Sequence, residues 1–379
     1  MSMNRRKFLQ TGASLGVLAF VPARLSAEQS AYAIPIRLTD RRLLVDCLID
    51  GHGPWPFVID TGGAVGLLDD VVADRLGLRS VGKSRLAIHG VWRRYEMMLV
   101  ERLSFGGLID QQSAVFAATD NVGFGDGAVG SLAAGAITAI ESEFDFVAGE
   151  WRLYPQGGPP RTDWTRIDRA FVREGNKQGS SWIFAPIEIG GKEYPIGLDT
   201  GAPTELRLSG DAMKQSGLWD SPRWAPGSPN GEGRVVRIPE LKIGGTVLKG
   251  VIANLYPKSQ WDYFDNGLVG LPILRRFDIA TKPKEDALFL RRNGNPDPAP
   301  YYNRAGMWLD ADGTDLKVVS VGPGSPAALA GIEAGDRVLD ADFTSTINAI
   351  HRPAGTVLKL QVRTKTGVRD IDLVLADYL

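Results

Sequence analysis

Two copies of the tripeptide Asp-Thr-Gly are the features of this sequence best suited to chemistry. Asp60-Thr61-Gly62 and Asp199-Thr200-Gly201 each follow a run of apolar residues. A single Asp-Thr-Gly is an ordinary turn, since Asp caps the turn and Gly permits a positive φ. Two copies in matching contexts are not explained by turn formation alone. Their carboxyls are therefore candidates for general acid and general base catalysis.

The composition favours carboxylate, hydroxyl or backbone chemistry over other kinds. The chain has 379 residues with one cysteine and three histidines, which excludes cysteine-cluster sites and most zinc sites. Its 43 Lys and Arg residues balance 44 Asp and Glu residues, for a formal net charge of -1. A balanced charge without a long basic run gives no electrostatic footprint for nucleic acid. We therefore expect no metal, no cofactor and no nucleic-acid partner.

Three landmarks recur at nearly one spacing, which predicts an internal duplication. The two aspartates are 199 − 60 = 139 positions apart. Gly106 and Gly244, in Gly-Gly turns, are 138 apart, and Gly130 and Gly270, which end apolar-apolar-Gly sequences, are 140 apart. Short apolar runs separated by turn signals fill both copies, and a helix-like segment follows each Asp-Thr-Gly. The predicted fold class is mostly β, with two duplicated lobes.

This arrangement resembles the aspartic peptidases, specifically their retropepsin-like branch. In that family each of two acid-protease β-barrel lobes supplies one Asp-Thr-Gly loop, and the loops meet at a pseudo-twofold axis in a bilobal cleft. The resemblance covers residues 32–292 and implies a first lobe at 32–157, a linker at 158–180 and a second lobe at 181–292. Because both lobes lie in one chain, a monomer is expected to hold a complete active site.

The resemblance implies a role for each residue of the two turns. Asp60 and Asp199 would be the catalytic pair, sharing one proton and holding a water molecule between them. Thr61 and Thr200 would join the two loops by hydroxyl-to-backbone hydrogen bonds. The glycines that complete the turns, or that end the strands supporting them, would be Gly62, Gly201, Gly130 and Gly270. The implied reaction is peptide-bond hydrolysis without a covalent intermediate, metal or cofactor.

The position after each Asp-Thr-Gly departs from the pepsin-like pattern. Many pepsin-like enzymes have Ser or Thr there, and its hydroxyl hydrogen-bonds the carboxylate, whereas this chain has Gly63 and Ala202. A carboxyl that loses a hydrogen bond to its ionised form has a higher pKa. We therefore expect a pH optimum closer to neutrality than that of pepsin.

Two glycine-containing segments are candidates for flaps that would cover the cleft and exclude water. Both lie between the helix-like segment and the Gly-Gly turn of their copy, at 88–92 and 230–233. The residues singled out in them are His89, Gly90, Trp92, Gly231 and Gly233.

The last part of the chain resembles bacterial PDZ domains. Val318–Ile332 contains an apolar strand, a Ser-Pro-Ala helix start and an Ala-Gly-Ile turn, and Gly335-Asp336 follows. The resemblance implies a small α+β domain at 304–379, after a proline-rich linker at 293–303. The alternative to a peptide-binding domain is a lobe that only packs on the rest of the protein.

PDZ domains add a peptide to their sheet as an extra strand and bind its C-terminal carboxylate with backbone amides. By resemblance the carboxylate loop would be Gly306, Met307, Trp308 and Leu309. The facing helix would lie near Thr346–Ile350 and would be short. A C-terminal peptide ligand is therefore an expected partner, besides a peptide or unfolded-protein substrate.

The N-terminus has the order of a signal peptide. The charged segment Asn4–Gln10 is followed by an apolar stretch from Gly12 to Phe20 and by Leu25-Ser26-Ala27, a cleavage site. The apolar stretch is shorter than the roughly 20 residues of a membrane span. The paired arginines resemble the twin-arginine export signal, and the general secretory route is the alternative, because a double arginine alone does not decide between them. We expect residues 1–27 to be removed and the protein to be exported to a bacterial periplasm.

Taken together, the sequence favours an exported aspartic endopeptidase whose PDZ domain recruits or gates substrate. A non-catalytic exported peptide-binding protein on a protease-like scaffold is the alternative, although a scaffold has no need of two intact Asp-Thr-Gly turns. A glycosidase with a pair of carboxylates explains neither the duplication nor the C-terminal domain.

Overall fold

The computed structural model describes residues 20–22, 31–39, 41–88, 91–120, 123, 125–172, 181–228, 232–258 and 264–379. Within these ranges the strands form three sheets, and no helix is both long and apolar enough to cross a membrane. The fold is mostly β, with two β-barrel lobes, as the sequence predicts.

The first lobe consists of strands and two short helices. In chain order the strands are β1 (Phe20–Pro22), β2 (Tyr32–Leu38), β3 (Leu43–Ile49), β4 (His52–Ile59), β5 (Gly66–Asp69), β6 (Arg79–Ile88), β7 (Val91–Phe105), β8 (Ile109–Thr119), β9 (Gly130–Leu132), β10 (Glu141–Asp145) and β11 (Glu150–Tyr154). The helices are α1 (Asp70–Arg75) and α2 (Gly135–Thr138). β1 lies inside the segment predicted to be a signal peptide and pairs with β8.

The second lobe follows two connecting strands, β12 (Thr165–Asp168) and β13 (Phe171–Val172). Its own strands are β14 (Trp182–Ile189), β15 (Lys192–Asp199), β16 (Leu206–Ser209), β17 (Ala225–Pro226), β18 (Arg234–Ile243), β19 (Thr246–Tyr256), β20 (Gly267–Gly270), β21 (Phe277–Lys282) and β22 (Ala287–Arg292). Its helices are α3 (Gly210–Gln215) and α4 (Leu271–Leu274), with 3-10 turns at Leu218–Asp220 and Pro283–Glu285.

The predicted linker at 158–180 is not a plain tether in its described part. Pro159 and Pro160 resist strand pairing, but no proline follows them before residue 181. The chain after them therefore forms β12 and β13, which pair with β22 and β14. Residues 173–180 lie outside the described residues.

The two lobes repeat one pattern of strand pairing. In the first lobe β4 pairs in parallel with β9, and β9 pairs antiparallel with β5. In the second lobe β15, β20 and β16 make the same two pairings. A short helix follows β5 and β16 alike; α1 is capped by Asp69, whose Oδ1 accepts from the N–H groups of Val71 and Val72.

A shared sheet joins the lobes. β10, near the end of the first lobe, pairs antiparallel with β21, near the end of the second. β11, β2, β22 and β12 extend this pair, so that the order across the join is β12-β22-β21-β10-β11-β2. Phe144, Trp151 and Phe277 are fully buried along it. The sheet therefore fixes the two lobes relative to each other.

The C-terminal domain is a separate five-stranded sheet with two helices. Its elements are β23 (Met307–Asp312), β24 (Asp315–Val321), α5 (Pro326–Leu329), β25 (Arg337–Val338), α6 (Phe343–Ala349), β26 (Val357–Thr364) and β27 (Gly367–Val374). Ser325 caps α5 by accepting the N–H of Ala328 at 3.2 Å. α6 begins three residues before the helix start predicted at Thr346, because Asp342 caps it by accepting the N–H of Ser345 at 2.8 Å.

This domain is docked on the second lobe. Tyr302 and Tyr378 lie in one buried cluster with Ala225, Val235 and Ile252. The backbones also meet closely, since a Cβ on Gly322 would lie 2.1 Å from the carbonyl oxygen of Trp224. The domain therefore packs directly against β17, β18 and β19 and is not connected to the second lobe by the linker alone.

A buried arginine ties the connecting segment to the shared sheet. Arg161 donates from Nη1 to Glu141 Oε1 at 2.6 Å and from Nη2 to Glu143 Oε2 at 3.0 Å, with its side chain only 2% exposed. We expect Arg161→Met to lower the free energy of unfolding by about 3 kcal/mol, because it leaves the largely buried Glu141 without its cationic partner and the buried Glu143 with Arg152 alone as ion-pair partner. Denaturant unfolding followed by tryptophan fluorescence measures this loss.

The matched control is Arg166→Met on the same segment. Arg166 pairs with Asp168 and Glu285, but its side chain is 43% exposed. Exposed ion pairs contribute about 0–1 kcal/mol, so we expect a small effect. Equal losses for the two variants would contradict the importance of burial at Arg161.

Candidate active site

The two Asp-Thr-Gly turns lie at the carboxyl ends of equivalent strands. Asp60 follows β4, and its N–H donates to the carbonyl oxygen of Leu132 on β9 at 2.9 Å. Asp199 ends β15 and pairs with Gly270 on β20. Each turn is thus supported by a parallel neighbouring strand, and the two turns face each other.

Two buried threonines join the turns. Thr61 Oγ1 donates to the carbonyl oxygen of Leu198 at 2.7 Å, and Thr200 Oγ1 donates to that of Ile59 at 2.6 Å. Each hydroxyl also accepts the other threonine's N–H, at 3.0 and 3.2 Å. Both residues are only 2% exposed. This reciprocal network, which we call the threonine clasp, satisfies each hydroxyl as donor and acceptor and holds the loops at one separation.

The clasp brings the two carboxyls into direct hydrogen-bond contact. Gly62 N–H donates to Asp60 Oδ1 at 3.1 Å, and Gly201 N–H donates to Asp199 Oδ1 at 2.9 Å. Glycine is required at both positions by the close approach. A Cβ on Gly62 would lie 2.4 Å from Asp199 Cγ, and one on Gly201 would lie 2.6 Å from Asp60 Oδ1.

The electrostatics of the pair favour a shared proton. Burial raises the pKa of both carboxyls, and the negative charge of Asp60 helps to raise the pKa of Asp199 well above its ordinary value. Opposing this, the hydrogen bond from Asp199 and the N–H groups of Gly62 and Gly63 lower the pKa of Asp60. Two carboxyls in contact do not both ionise cheaply, so one proton remains on the pair.

Arg42 is a residue of the site that the sequence does not reveal. Its guanidinium is buried and donates from Nη1 to the carbonyl oxygen of Gly201 at 3.0 Å. Its positive charge lowers the pKa of Asp60. Arg42 precedes β3, far from either Asp-Thr-Gly in the sequence, and only the folding of the first lobe brings it to the second turn.

The pair lies on the wall of a cavity of about 1470 Å³. Typical pockets for small molecules enclose about 300–1,000 Å³, so this cavity is large enough for a longer ligand. Apolar side chains from both lobes line it, including Leu86, Ile88, Trp182 and Phe264. The site is therefore a large cavity between the lobes, with the carboxyl pair on its wall and both apolar and charged side chains around it.

The candidate flap residues are only partly described. β6 and β7 form a hairpin whose end reaches the cavity, and Trp92 lines it with 58% of its surface exposed. His89, Gly90 and Gly231 lie outside the described residues. Gly233 is described between β17 and β18, where its N–H donates to Ser228 Oγ at 2.8 Å, and it is not one of the residues lining the cavity.

The strands that support the two turns, β9 and β20, are equivalent at positions other than those that the sequence predicts. The sequence matches Gly130 with Gly270, but Gly130 pairs with Phe57 whereas Gly270 pairs with Asp199. The N–H of Ala134 donates to the carbonyl oxygen of Gly63, and the N–H of Leu271 donates to that of Ala202. Equivalent positions of the two supporting strands are therefore 271 − 134 = 137 residues apart. Ala133 therefore takes the place of Gly270. Gly130 has its own reason to be glycine, since a Cβ there would lie 2.4 Å from the oxygen of Leu67.

The C-terminal domain reaches the same cavity. Met307, Trp308 and Leu309 of the predicted carboxylate loop line it, as do residues of α6. Gly306 lies behind them, buried against Ser325 and Tyr378. The described residues include no group of His, Cys, Asp and Glu side chains arranged to hold a metal ion.

Comparison with known proteins gives likenesses among solved structures alone. No protein-family model and no curated protein matches the chain. A solved structure that is similar is that of an aspartic proteinase from Irpex lacteus, with 14% sequence identity and a TM-score of 0.45. The match covers 69% of this chain and 97% of that chain. What the site can do follows from its own geometry.

The raised pKa of Asp199 predicts how the stability of the protein depends on pH. A carboxyl with a raised pKa binds its proton more tightly in the folded than in the unfolded state. The stability it contributes is present below its unfolded pKa, about 3.9, and is lost as the pH rises through the folded pKa. We therefore expect Asp199→Asn to be more stable than the wild type by about 1–3 kcal/mol at pH 8, with a much smaller gain at pH 4.

Denaturant unfolding at the two pH values measures the difference. Glu188→Gln is the control, because Glu188 is an exposed partner of Lys242 and lies away from the cavity. We expect it to change stability by less than about 1 kcal/mol at either pH. An Asp199→Asn gain that is equal at pH 4 and pH 8 would contradict the assignment of a raised pKa.

Proposed function

We propose that this protein is an aspartic endopeptidase that hydrolyses peptide bonds with a water molecule activated between Asp60 and Asp199. The observation that carries the proposal is the direct hydrogen bond between these carboxyls on the wall of a large cavity. One ionised and one protonated carboxyl in contact supply a general base and a general acid at one point.

The asymmetry of the pair assigns the roles. Asp60, whose pKa is lowered by the nearby charge of Arg42, is assigned as the ionised member and takes a proton from the water. The hydroxide oxygen then bonds to the peptide carbonyl carbon while Asp199 gives its proton to the carbonyl oxygen. Collapse of the gem-diol intermediate breaks the C–N bond, as the nitrogen takes the proton that Asp60 had accepted and one hydroxyl returns its proton to Asp199. The products are an amine and a carboxylic acid, and the carboxyl pair is restored with its single proton.

The contact between the carboxyls also separates this proposal from glycoside hydrolysis. The two carboxyls of a retaining glycosidase are about 5–5.5 Å apart, and those of an inverting enzyme are farther apart. A hydrogen-bonded pair is closer than either. The volume of the cavity and the apolar side chains in its lining support a polypeptide as the substrate.

The proposal has two further parts, both of which come from the sequence. One is a PDZ-type C-terminal domain that recruits substrate or gates access to the cleft. The other is export to a bacterial periplasm by the twin-arginine route, supported by Arg5-Arg6 and the apolar stretch after them. Apart from 20–22, residues 1–30 lie outside the described residues.

Cleavage by the mature chain, residues 28–379, tests the reaction. The protein is incubated with a mixture of unfolded proteins at pH 3–8, and the cleavage sites are mapped by mass spectrometry. We expect Asp60→Asn and Asp199→Asn each to lose about 10³-fold or more in kcat/KM, because each removes half of the acid–base pair. The double variant should be little worse than either single one, because the carboxyls act as a unit.

The pH profile is part of the same experiment. Because burial raises the pKa of both carboxyls, we expect the maximum above about pH 3.5, near the ordinary pKa of a carboxyl. Glu188→Gln should cut like the wild type. Continued cutting by either Asn variant would contradict the mechanism. If the wild type cuts nothing at any pH, the protein is a peptide-binding protein on a protease-like scaffold.

A further inference from the structure

The charged residues that line the cavity are mostly positive. Among the described residues, five arginines line it, with three acidic residues besides the carboxyl pair. Two of these acids, Glu205 and Asp297, each lie 3.5 Å from a guanidinium nitrogen of Arg276, whose charge offsets part of theirs. The carboxyl pair itself retains one proton. The cavity therefore attracts a negatively charged group of a ligand.

The duplication gives one of these arginines an apolar counterpart in the first lobe. Arg207 on β16 pairs with Leu268 on β20, and Leu67 on β5 pairs with Ser131 on β9. Ser131 and Leu268 are 268 − 131 = 137 residues apart, which is the separation of equivalent positions on β9 and β20. Leu67 and Arg207 are therefore equivalent, and both line the cavity.

The strands on the other side of β5 and β16 extend this contrast. Ala117 on β8 is the partner of Leu67, and Asn254 on β19 is the partner of Arg207. Leu67 and Ala117 belong to one buried apolar cluster. Asn254 Nδ2 instead donates to Thr204 Oγ1 at 2.6 Å, and both of these residues line the cavity. The wall of the first lobe is thus apolar where the equivalent wall of the second lobe is polar and cationic.

The guanidinium of Arg207 lies on this wall close to the carboxyl pair. Its central carbon is 5.0 Å from the centroid of the Tyr256 ring, and the side chain is half-buried. Burial lowers the pKa of Arg207, and the charges of Tyr256 and Asp199 oppose this effect. Arginine nevertheless stays protonated in proteins, and its planar fork of N–H donors matches a carboxylate in a bidentate pair. Arg207 is therefore suited to bind a carboxylate of the ligand.

Equivalent positions of the two lobes lie on opposite sides of the carboxyl pair. Exchanging one lobe for the other exchanges Asp60 with Asp199, so that a position near one carboxyl has its counterpart near the other. A polypeptide whose cut bond lies at the pair therefore passes Arg207 on one side of that bond and Leu67 on the other. Ile88 of β6 packs against the cluster of Leu67 and also lines the cavity, which enlarges the apolar side.

We propose that Arg207 is a specificity-determining residue, which binds a Glu or Asp side chain of the polypeptide that is cut at Asp60 and Asp199. Leu67 contacts an apolar side chain on the other side of the cut bond. The substrate class is then a polypeptide with an acidic residue on one side of that bond and an apolar residue on the other. This inference rests on the proposed function for its effect on cleavage, while the binding of the acidic side chain is measurable without cleavage.

The test compares peptides that share one cleavage sequence and carry either Glu or Gln at one position. Successive positions on both sides of the cut bond are varied in turn, and both ends of each peptide are blocked. We expect one position at which Glu exceeds Gln in kcat/KM by about tenfold or more, because a site built to bind a charged group rejects the analogue that lacks it. This advantage should fall towards one below about pH 4, where Glu takes up its proton.

Variants identify Arg207 as the source of the advantage. Arg207→Leu, which places the residue type of position 67 at the equivalent position, should reduce the ratio of Glu-peptide to Gln-peptide kcat/KM to about one. Arg207→Gln should do the same if leucine disturbs the fold. The matched control is Lys249→Leu, which removes one positive charge from an exposed residue of β19 that does not line the cavity, and it should keep the ratio.

Three results would overturn the inference. One is a wild-type ratio near one at every position, and another is equal loss of the ratio in the Arg207 and Lys249 variants. The third comes from peptides with a free C-terminus. If these gain over the blocked peptides whichever of Glu and Gln they carry, the cavity binds a terminal carboxylate and not an acidic side chain.

Binding to the inactive double variant Asp60→Asn/Asp199→Asn separates this inference from the proposed function. Fluorescence anisotropy of the labelled Glu and Gln peptides gives the ratio of their Kd values with and without Arg207→Leu. If the wild type cuts no peptide but the Glu peptide binds about tenfold more tightly and Arg207→Leu removes this difference, the proposed function fails and the role of Arg207 stands. If peptides are cut but Glu and Gln are cut and bound equally, the role of Arg207 fails and the proposed function stands.

Discussion

Two buried carboxyls in contact are the constraint on which the rest of this structure depends. Holding them together is unfavourable, because each loses water and their charges repel. The threonine clasp fixes the separation of the two turns, glycine at 62 and 201 permits the approach, and the sheet built from β10 and β21 holds the lobes behind them. The gain in stability expected for Asp199→Asn at high pH reflects the free-energy cost of holding the two carboxyls together.

The duplication gives two similar Asp-Thr-Gly turns, but the residues that surround the two turns differ. Arg42 of the first lobe donates a hydrogen bond to the carbonyl oxygen of Gly201 in the second turn, and its charge lowers the pKa of Asp60 in the first. The C-terminal domain packs on the second lobe, and residues of its β23 and α6 line the common cavity. A symmetric pair would leave the shared proton equally on either carboxyl. The surroundings of the two carboxyls are therefore not equivalent.

Local signals in the sequence predict the repeated parts of the fold and the location of the carboxyl pair. Apolar runs ending in Asp-Thr-Gly are local patterns, and both fold as strands β4 and β15 ending in turns. The match of Gly130 to Gly270 is off register, because glycine is required at Gly130 for a different close contact. Arg42 and the continuation of the cleft to α6 depend on contacts between distant segments, for which no local pattern exists.

Titration of the aspartate carboxyls by ¹³C NMR tests the central claim most directly. Protein labelled at Asp Cγ is compared with Asp60→Asn and Asp199→Asn, and the signals lost from each variant identify the pair. The account predicts that the two wild-type carboxyls titrate together in two steps, with one proton kept well above pH 4, and that each variant leaves a single step. Two independent titrations near pH 4, unchanged by removal of the other carboxyl, would contradict it.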